Sequence, residues 1–240
     1  AGFIGSHLVD RLIDQGDQVV AIDNFCTGHK ENVAHLKGNK NFELIVADVI
    51  KPLPKNIFQT DRIYHLASPA SPSNSTAQSY QTLWEETMAV NSIGTWNGVK
   101  RAVADGARFL FTSTSETYGE PLEHPQKETY RGNVSTTGPR AVYDEAKRFG
   151  ETIVSAYVRK KGLDGRIARI FNTYGTRMDL TEGRVVYNLV LKDLKGESIP
   201  IYGDGQQTRS FCYVSDQVEG LIRLMEKDGL AGEVVNIGNP

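Results

Sequence analysis

Cysteine is scarce: Cys26 and Cys212 are the only two in 240 residues. They share no metal-ligand spacing, which excludes a disulfide framework and a cysteine-built metal site; reduced thiols of this kind fit a cytoplasmic protein. A surplus of charge of one sign is missing too. The 27 basic and 29 acidic residues leave a net charge of −2, without the clustered basic excess of a nucleic-acid binder. No apolar run approaches the length of a membrane span, and the opening residues carry no signal-peptide pattern. Internal repeats, long charge runs and coiled-coil heptads are absent as well. What remains is a chain with 39% hydrophobic residues. That suffices for one large α/β domain, or a domain with a smaller lobe.

Glycine, by contrast, is plentiful, at 23 residues, and its placement is informative. Ala1-Gly-Phe-Ile-Gly-Ser-His-Leu-Val-Asp10 reads as the end of a glycine-rich turn entering a helix, with Ile4, Leu8, Val9, Leu12 and Ile13 at helical spacing. Gln15-Gly16-Asp17 stops that helix, Gln18 to Ile22 is a buried strand, and Asp23 sits at its end. This is most of a dinucleotide-binding βαβ unit. Gly2 and Gly5 let the backbone approach a pyrophosphate at a helix N-terminus, and Asp23 is placed to accept hydrogen bonds from ribose hydroxyls. A carboxylate there repels a 2′-phosphate, which favours NAD over NADP. The first glycine and first strand of such a unit are missing, so the sequence is expected to be a clipped part of a longer protein.

Asn24-Phe-Cys-Thr-Gly28 is a turn suited to wrapping the adenosine. Phe42 to Asp48 reads as a strand ending in a carboxylate, which serves equally as a turn or N-cap aspartate. Arg62 to Ala67 is a further strand, with His65 a structural residue inside it. The polar loop Ser68 to Thr76 follows at a strand's carboxyl end, where loops face ligands. Tyr80 to Val103 is expected to be one long helix containing Asn91. Ala107 to Phe111 is a short buried strand, expected to end where the hydroxyl-rich stretch Thr112-Ser-Thr-Ser-Glu-Thr-Tyr-Gly119 begins.

Tyr143 and Lys147 in Tyr-Asp-Glu-Ala-Lys stand four apart, on one face of a helix running to Lys161-Gly162. An ammonium beside a phenol favours the phenolate, lowering the tyrosine pKa and fitting it for acid/base work on an alcohol or ketone. An exposed Tyr/Lys pair is the plain alternative for so short a motif. Gly165 to Phe171 is the next strand, ending at Asn172. Beyond it Gly175, Gly183, Gly196, Gly203 and Gly205 suggest a lobe built from loops, where Tyr202 can line a base and Arg209 can fork onto phosphate oxygens or simply be solvated. Val214-Ser-Asp216 starts a helix, and Val234 to Gly238 forms a last strand.

Taken together these motifs resemble the extended short-chain dehydrogenase/reductases that modify nucleotide sugars, over nearly the whole chain. Four stretches make the likeness closest to the UDP-glucuronate decarboxylases: His65-Leu-Ala-Ser-Pro-Ala-Ser-Pro72, Ser113-Thr-Ser-Glu-Thr-Tyr-Gly119, Gly138-Pro-Arg-Ala-Val-Tyr-Asp-Glu-Ala-Lys147 and Arg169-Ile-Phe-Asn-Thr-Tyr-Gly175. The related 4,6-dehydratases carry Asp-Glu where this chain has Ser115-Glu116, and 4-epimerases usually lack the glutamate; both remain the alternatives.

The resemblance implies a Rossmann-type doubly wound parallel sheet of α/β class, spanning residues 1–172. Residues 173–240 would form a smaller, partly missing C-terminal substrate lobe, with segments returning to the sheet. It implies catalysis by Tyr143, Lys147, Ser115, Glu116 and Thr114. NAD would be held by Gly2, Phe3, Ile4, Gly5, Asp23, Asn24, Phe25, Thr27, Gly28, Asp48, Val49, Leu66 and Ser68 together with Tyr143 and Lys147. A UDP-sugar would be held by Asn172, Arg184, Tyr202 and Arg209. It also implies a homodimer through the helices around Tyr80–Val103 and Tyr143–Lys161, with no membrane in this segment and no metal. An arginine of the C-terminal lobe would meet the substrate carboxylate, and no position in this chain matches it securely.

Overall fold

A computed structural model of the chain describes residues 1–54, 57–73, 76–180, 183–201 and 203–239. Its centre is a parallel four-stranded sheet of β3 (Arg62–His65), β4 (Arg108–Thr114), β5 (Gly165–Ile170) and β8 (Val234–Ile237), in that spatial order. Beside it lies a parallel pair, β1 (Val19–Asp23) with β2 (Phe42–Val46), in register from Val19 opposite Phe42 to Asp23 opposite Val46. β1 pairs with β2 and β3 with β4. The other edges of β1 and β3 line a common cavity.

Residue alternation along β4 decides which helices cover which face. Phe109 and Phe111 point to one side and pack with Val99 and Ala102 of α3 (Thr95–Asp105) and Ile153 and Val154 of α4 (Ala141–Lys161). Leu110 points to the other side, where Ala168 joins it with Leu221 and Met225 of α6 (Val214–Glu226). α6 also packs on α1 (Phe3–Asp14) through Leu8, Leu12, Val218 and Ile222. Each phenylalanine is fully buried, a contribution of roughly 2–3 kcal/mol apiece. Gly150 lets α4 lie against Phe111, because a Cβ there would stand 2.4 Å from the ring. This close approach draws the start of α4 onto the end of β4. Gly162, at φ 66°, ends α4 in a left-handed cap where the sequence places its stop.

Three expectations need correction. β4 does not stop at Phe111 but continues through Thr112, Ser113 and Thr114, because these hydroxyls find partners inside the fold. Thr112 donates to the His65 carbonyl and Ser113 to Glu151. The long helix from Tyr80 begins instead as α2 (Trp84–Ala89), passes through a π-helical turn at Val90–Gly94, and continues as α3. Side chains compete there for helix carbonyls: Asn91 donates to Thr87, Ser92 to Met88 and Thr95 to Asn91. Widened turns of this kind recur at functional sites. Finally, the glycine-punctuated C-terminal region is not loops alone. It holds α5 (Val185–Leu194) and a short parallel pair, β6 (Asn172–Tyr174) with β7 (Phe211–Tyr213).

Candidate functional site

The carboxyl ends of the strands open into a cavity that also runs between β1 and β3 to Gln18 and Arg62, with a total volume of about 870 Å³. Its nucleotide side begins at Gly2, which precedes α1 with no side chain capping the helix N-terminus. A Cβ on Gly2 or Gly5 would meet nothing within 4 Å, and neither glycine has a positive φ. Internal packing therefore does not require glycine at either position; the space left open is a cradle for a group from outside the chain, beside free helix N–H groups. Asp23 stands next to this turn, its carboxylate 2.8 Å from the Ala1 nitrogen and accepting from the Phe25 N–H at 2.7 Å. Gly28 packs flush against that carboxylate. These residues fit a dinucleotide: open space at a helix N-terminus for an anion, and a carboxylate beside it for a ribose.

Phe3, Ile4, Asn24, Thr27, Asp48, Val49, Leu66 and Ser68 line the same cavity. Phe25 does not line it. This residue takes a left-handed φ of 59° and lies under the Lys30 ammonium, 5.2 Å from the ring centre. Asp48 accepts from the Ile50 N–H at 3.1 Å, so it acts as a turn aspartate while also facing the cavity. Ser68 accepts from the buried Asn91 amide at 2.9 Å, which ties this wall to the π-helical turn.

Opposite lies the wall made by the end of β4 and the start of α4. Thr114, Ser115, Glu116, Tyr143 and Lys147 all face the cavity. Lys147 is 3% exposed and donates to the Thr112 carbonyl at 2.8 Å, while its ammonium stands 5.8 Å from the centre of the Tyr143 ring. The Thr114 hydroxyl lies close enough to the Tyr143 phenol to favour its charged form. Tyr80 stacks on the Tyr143 ring at 4.8 Å and 15°. The pair is thus inside the wall, not on an exposed helix face.

The electrostatics differ from the expectation that the ammonium lowers the phenol. Burial pushes Tyr143 up to about 12, against the pull of the Thr114 hydrogen bond and the Arg184 charge. Burial likewise pushes Lys147 down to about 7, against the Glu151 carboxylate. Each group loses more water than its neighbours replace, so the uncharged forms are favoured in both. His65, behind them, is pushed down to about 4 by burial and then by the Lys147 charge. It is a structural histidine, its ring tilted against those of Phe109 and Phe111.

Asn172, Arg184 and Arg209 reach the cavity from the C-terminal side. Arg184 donates to the Ala70 carbonyl, and Arg209 is exposed and bonded to the Thr208 carbonyl. Tyr202 lies outside the described residues. Two residues that sequence reasoning passed over belong to the wall: Tyr80, and Arg140, whose guanidinium pairs with Glu116. Arg140 had a signal, since it precedes Tyr143 by three, one helical turn. Tyr80 had none, because its contact depends on how the loop before α2 folds back. No group of three or more His, Cys, Asp or Glu side chains among the described residues is arranged to hold a metal.

A parallel, doubly wound sheet with an anion cradle at its first helix and a Tyr/Lys pair across the cleft defines a dinucleotide-dependent α/β fold. The chain belongs to the NAD dependent epimerase/dehydratase family, whose model matches residues 1–238. Among curated relatives it is 55% identical over its whole length to UDP-glucuronic acid decarboxylase 1 of Arabidopsis thaliana, and covers 53% of that protein. The chain thus spans about half the length of the first curated relatives it matches. Among solved structures it is similar to a UDP-glucose 4-epimerase of Thermotoga maritima with UDP-glucose, at 30% identity and a TM-score of 0.83, covering all of this chain and 74% of that one. It is also similar to a UDP-glucuronic acid 4-epimerase of Bacillus cereus in complex with NAD, at 27% identity and a TM-score of 0.80, covering all of this chain and 76% of that one.

Proposed function

We propose that this chain is the NAD-binding and acid/base part of a UDP-glucuronate decarboxylase that converts UDP-glucuronate to UDP-xylose through a 4-keto sugar, a lyase. The observation that carries this reading is the Ser115-Glu116 turn beside Tyr143 and Lys147 in one cavity. A dehydratase needs an acid where Ser115 stands, to protonate a departing hydroxyl; a decarboxylase does not. The 55% identity to a plant UDP-glucuronic acid decarboxylase supports the same choice.

Gly2, Phe3, Ile4 and Gly5 hold the pyrophosphate, and Asp23 the adenosine ribose. Asn24, Thr27, Gly28, Asp48 and Val49 surround the adenine end, with Leu66 and Ser68 towards the nicotinamide. When bound, NAD supplies a reversible hydride acceptor for sugar C4. Tyr143 holds the proton at O4, and Lys147 keeps the phenol in place. In the 4-keto sugar the C5 carboxylate is β to a carbonyl. Its C–C bond electrons move into the ketone as carbon dioxide leaves, and negative charge develops on O4. Tyr143 as a neutral phenol and Ser115 donate hydrogen bonds to that charge, and Thr114 orients the phenol. Glu116 positions the ring, or the water that reprotonates C5. Asn172, Arg184 and Arg209 hold the UDP moiety, with Tyr202 assigned to the same end by the resemblance alone.

A homodimer is part of this reading. Trp84, Met88 and Trp96 on α2 and α3, and Phe149 on α4, are each about half exposed. Apolar exposure of this kind on adjoining helices favours a protein partner. No helix among the described residues is long and apolar enough to cross a membrane, and a cytoplasmic site of action remains part of the proposal. Incubation with UDP-glucuronate and NAD should release carbon dioxide and give UDP-xylose. Accumulation of a 4-keto sugar without carbon dioxide, or conversion of UDP-glucose alone, would overturn the proposal.

A further inference from the structure

Arg140 has no assigned task in the chemistry above. Arg140 is the residue at the N-terminal boundary of α4, three before Tyr143, and its guanidinium pairs with Glu116 on the turn after β4. Both side chains line the cavity. The other cations of this part of the cavity are engaged elsewhere: Lys147 with the Thr112 carbonyl, Arg184 with Ala70 and Arg209 with Thr208. Asp144, one turn after Arg140, brings a second carboxyl within reach of the Arg140 charge; it is buried, and one of its oxygens has no hydrogen-bond partner among the described residues. Without Arg140 the Glu116 carboxylate on this turn would lose its paired cation.

That charge balance matters for a sugar bearing its own carboxylate. Two anions at contact distance in a partly dry cleft repel strongly, and a site that tolerates both needs a cation between them. A neutral sugar makes no such demand. We infer that Arg140 sets the charge specificity of the site, neutralising Glu116 so that an anionic sugar can lie against the Ser115-Glu116 turn. The inference rests on the decarboxylase reading for the identity of the anion. It assigns Arg140 a positioning role through Glu116, not a contact with the reacting atoms.

The test compares binding of UDP-glucuronate and UDP-glucose, which differ in the carboxylate, by calorimetry on NAD-loaded protein. Arg140→Met should weaken UDP-glucuronate on the order of tenfold or more while changing UDP-glucose less than about twofold. Arg140→Lys should recover most of the loss, since it restores the charge. Glu116→Gln added to Arg140→Met should also recover it, because the uncompensated anion is gone, a non-additivity expected of coupled neighbours. Equal weakening of both sugars by Arg140→Met, or no recovery on removing the Glu116 charge, overturns the inference. Should Arg140→Met fail to fold, Glu116→Gln alone decides: with the arginine unpaired, UDP-glucuronate should tighten relative to UDP-glucose, and an unchanged ratio overturns the inference. Carbon dioxide release by the unaltered protein is measured separately. Its absence would sink the decarboxylase reading, while the binding ratios still judge Arg140.

Discussion

The wall at the start of α4 and the segment around α5 both face the same cavity, yet they are built in opposite ways. Tyr143 and Lys147 are buried, held by Thr114, Tyr80 and the Thr112 carbonyl. α5 has no buried residue at all, and Leu194 and Ile201 near it are 77% and 76% exposed. The first region is set by folding itself, because the same packing that makes the core fixes the phenol. The second is helical with no buried residue against the described part of the fold. In the proposed function, chemistry falls to the buried side and recognition to the exposed one.

The sharpest way to break this contrast is Tyr143→Phe. It deletes one hydroxyl from the rigid wall and should cut turnover of UDP-glucuronate by about 10²-fold or more. Nucleotide-sugar affinity should stay within a few-fold; a variant keeping a tenth of the activity would remove Tyr143 from the proton path.

A second, smaller effect is in pH. Lys147 is pushed down to about 7 in the folded chain, below the value of 10.5 it has when unfolded. Between these values the unfolded chain holds a proton that the folded chain has released, so this group's penalty on folding fades as pH rises. Relative to Lys147→Met, the unaltered protein should gain about 2 kcal/mol between pH 7 and 9 in urea unfolding without NAD. Parallel curves for the two proteins would mean that Lys147 is solvated.

On the exposed side, Arg209→Ala should leave the unfolding midpoint unchanged, since its side chain is exposed and bonds a neighbouring carbonyl. UDP-sugar affinity should fall by about tenfold, the loss of a charge-assisted phosphate contact. A marked fall in stability would show this segment to be as rigid as the wall. The mildest change is Gly5→Ala. Its added methyl meets nothing within 4 Å inside α1, so the folded chain should gain about 0.5–1 kcal/mol. NAD affinity should drop nonetheless, read by titration of the cofactor. Unchanged affinity would remove the anion cradle from Gly5.

The sequence made the buried side more legible than the exposed one, for a physical reason. Strands with two buried faces are apolar and short, so Arg62 onward, Phe109 to Phe111 and Gly165 onward announce themselves, and β3, β4 and β5 begin there. Gly162 marks the end of α4 because a left-handed cap favours that residue. Contacts that depend on tertiary folding left little trace. The π-helical turn arises from hydroxyls and an amide competing for carbonyls, which no periodicity encodes. α5 hid behind its flanking glycines, and with no buried stripe it lacks the pattern by which helices are recognised. The raised phenol was misjudged because charge attraction can be read from a Tyr/Lys spacing, whereas loss of water cannot.

The stacked Tyr80 and Tyr143 rings carry a last consequence. A phenol pressed flat against another ring has little room to swing sideways, so its hydroxyl keeps one direction. If the proposed proton role holds, exchanging side chains on the opposing turn would change which sugar fits while the donor stays aligned.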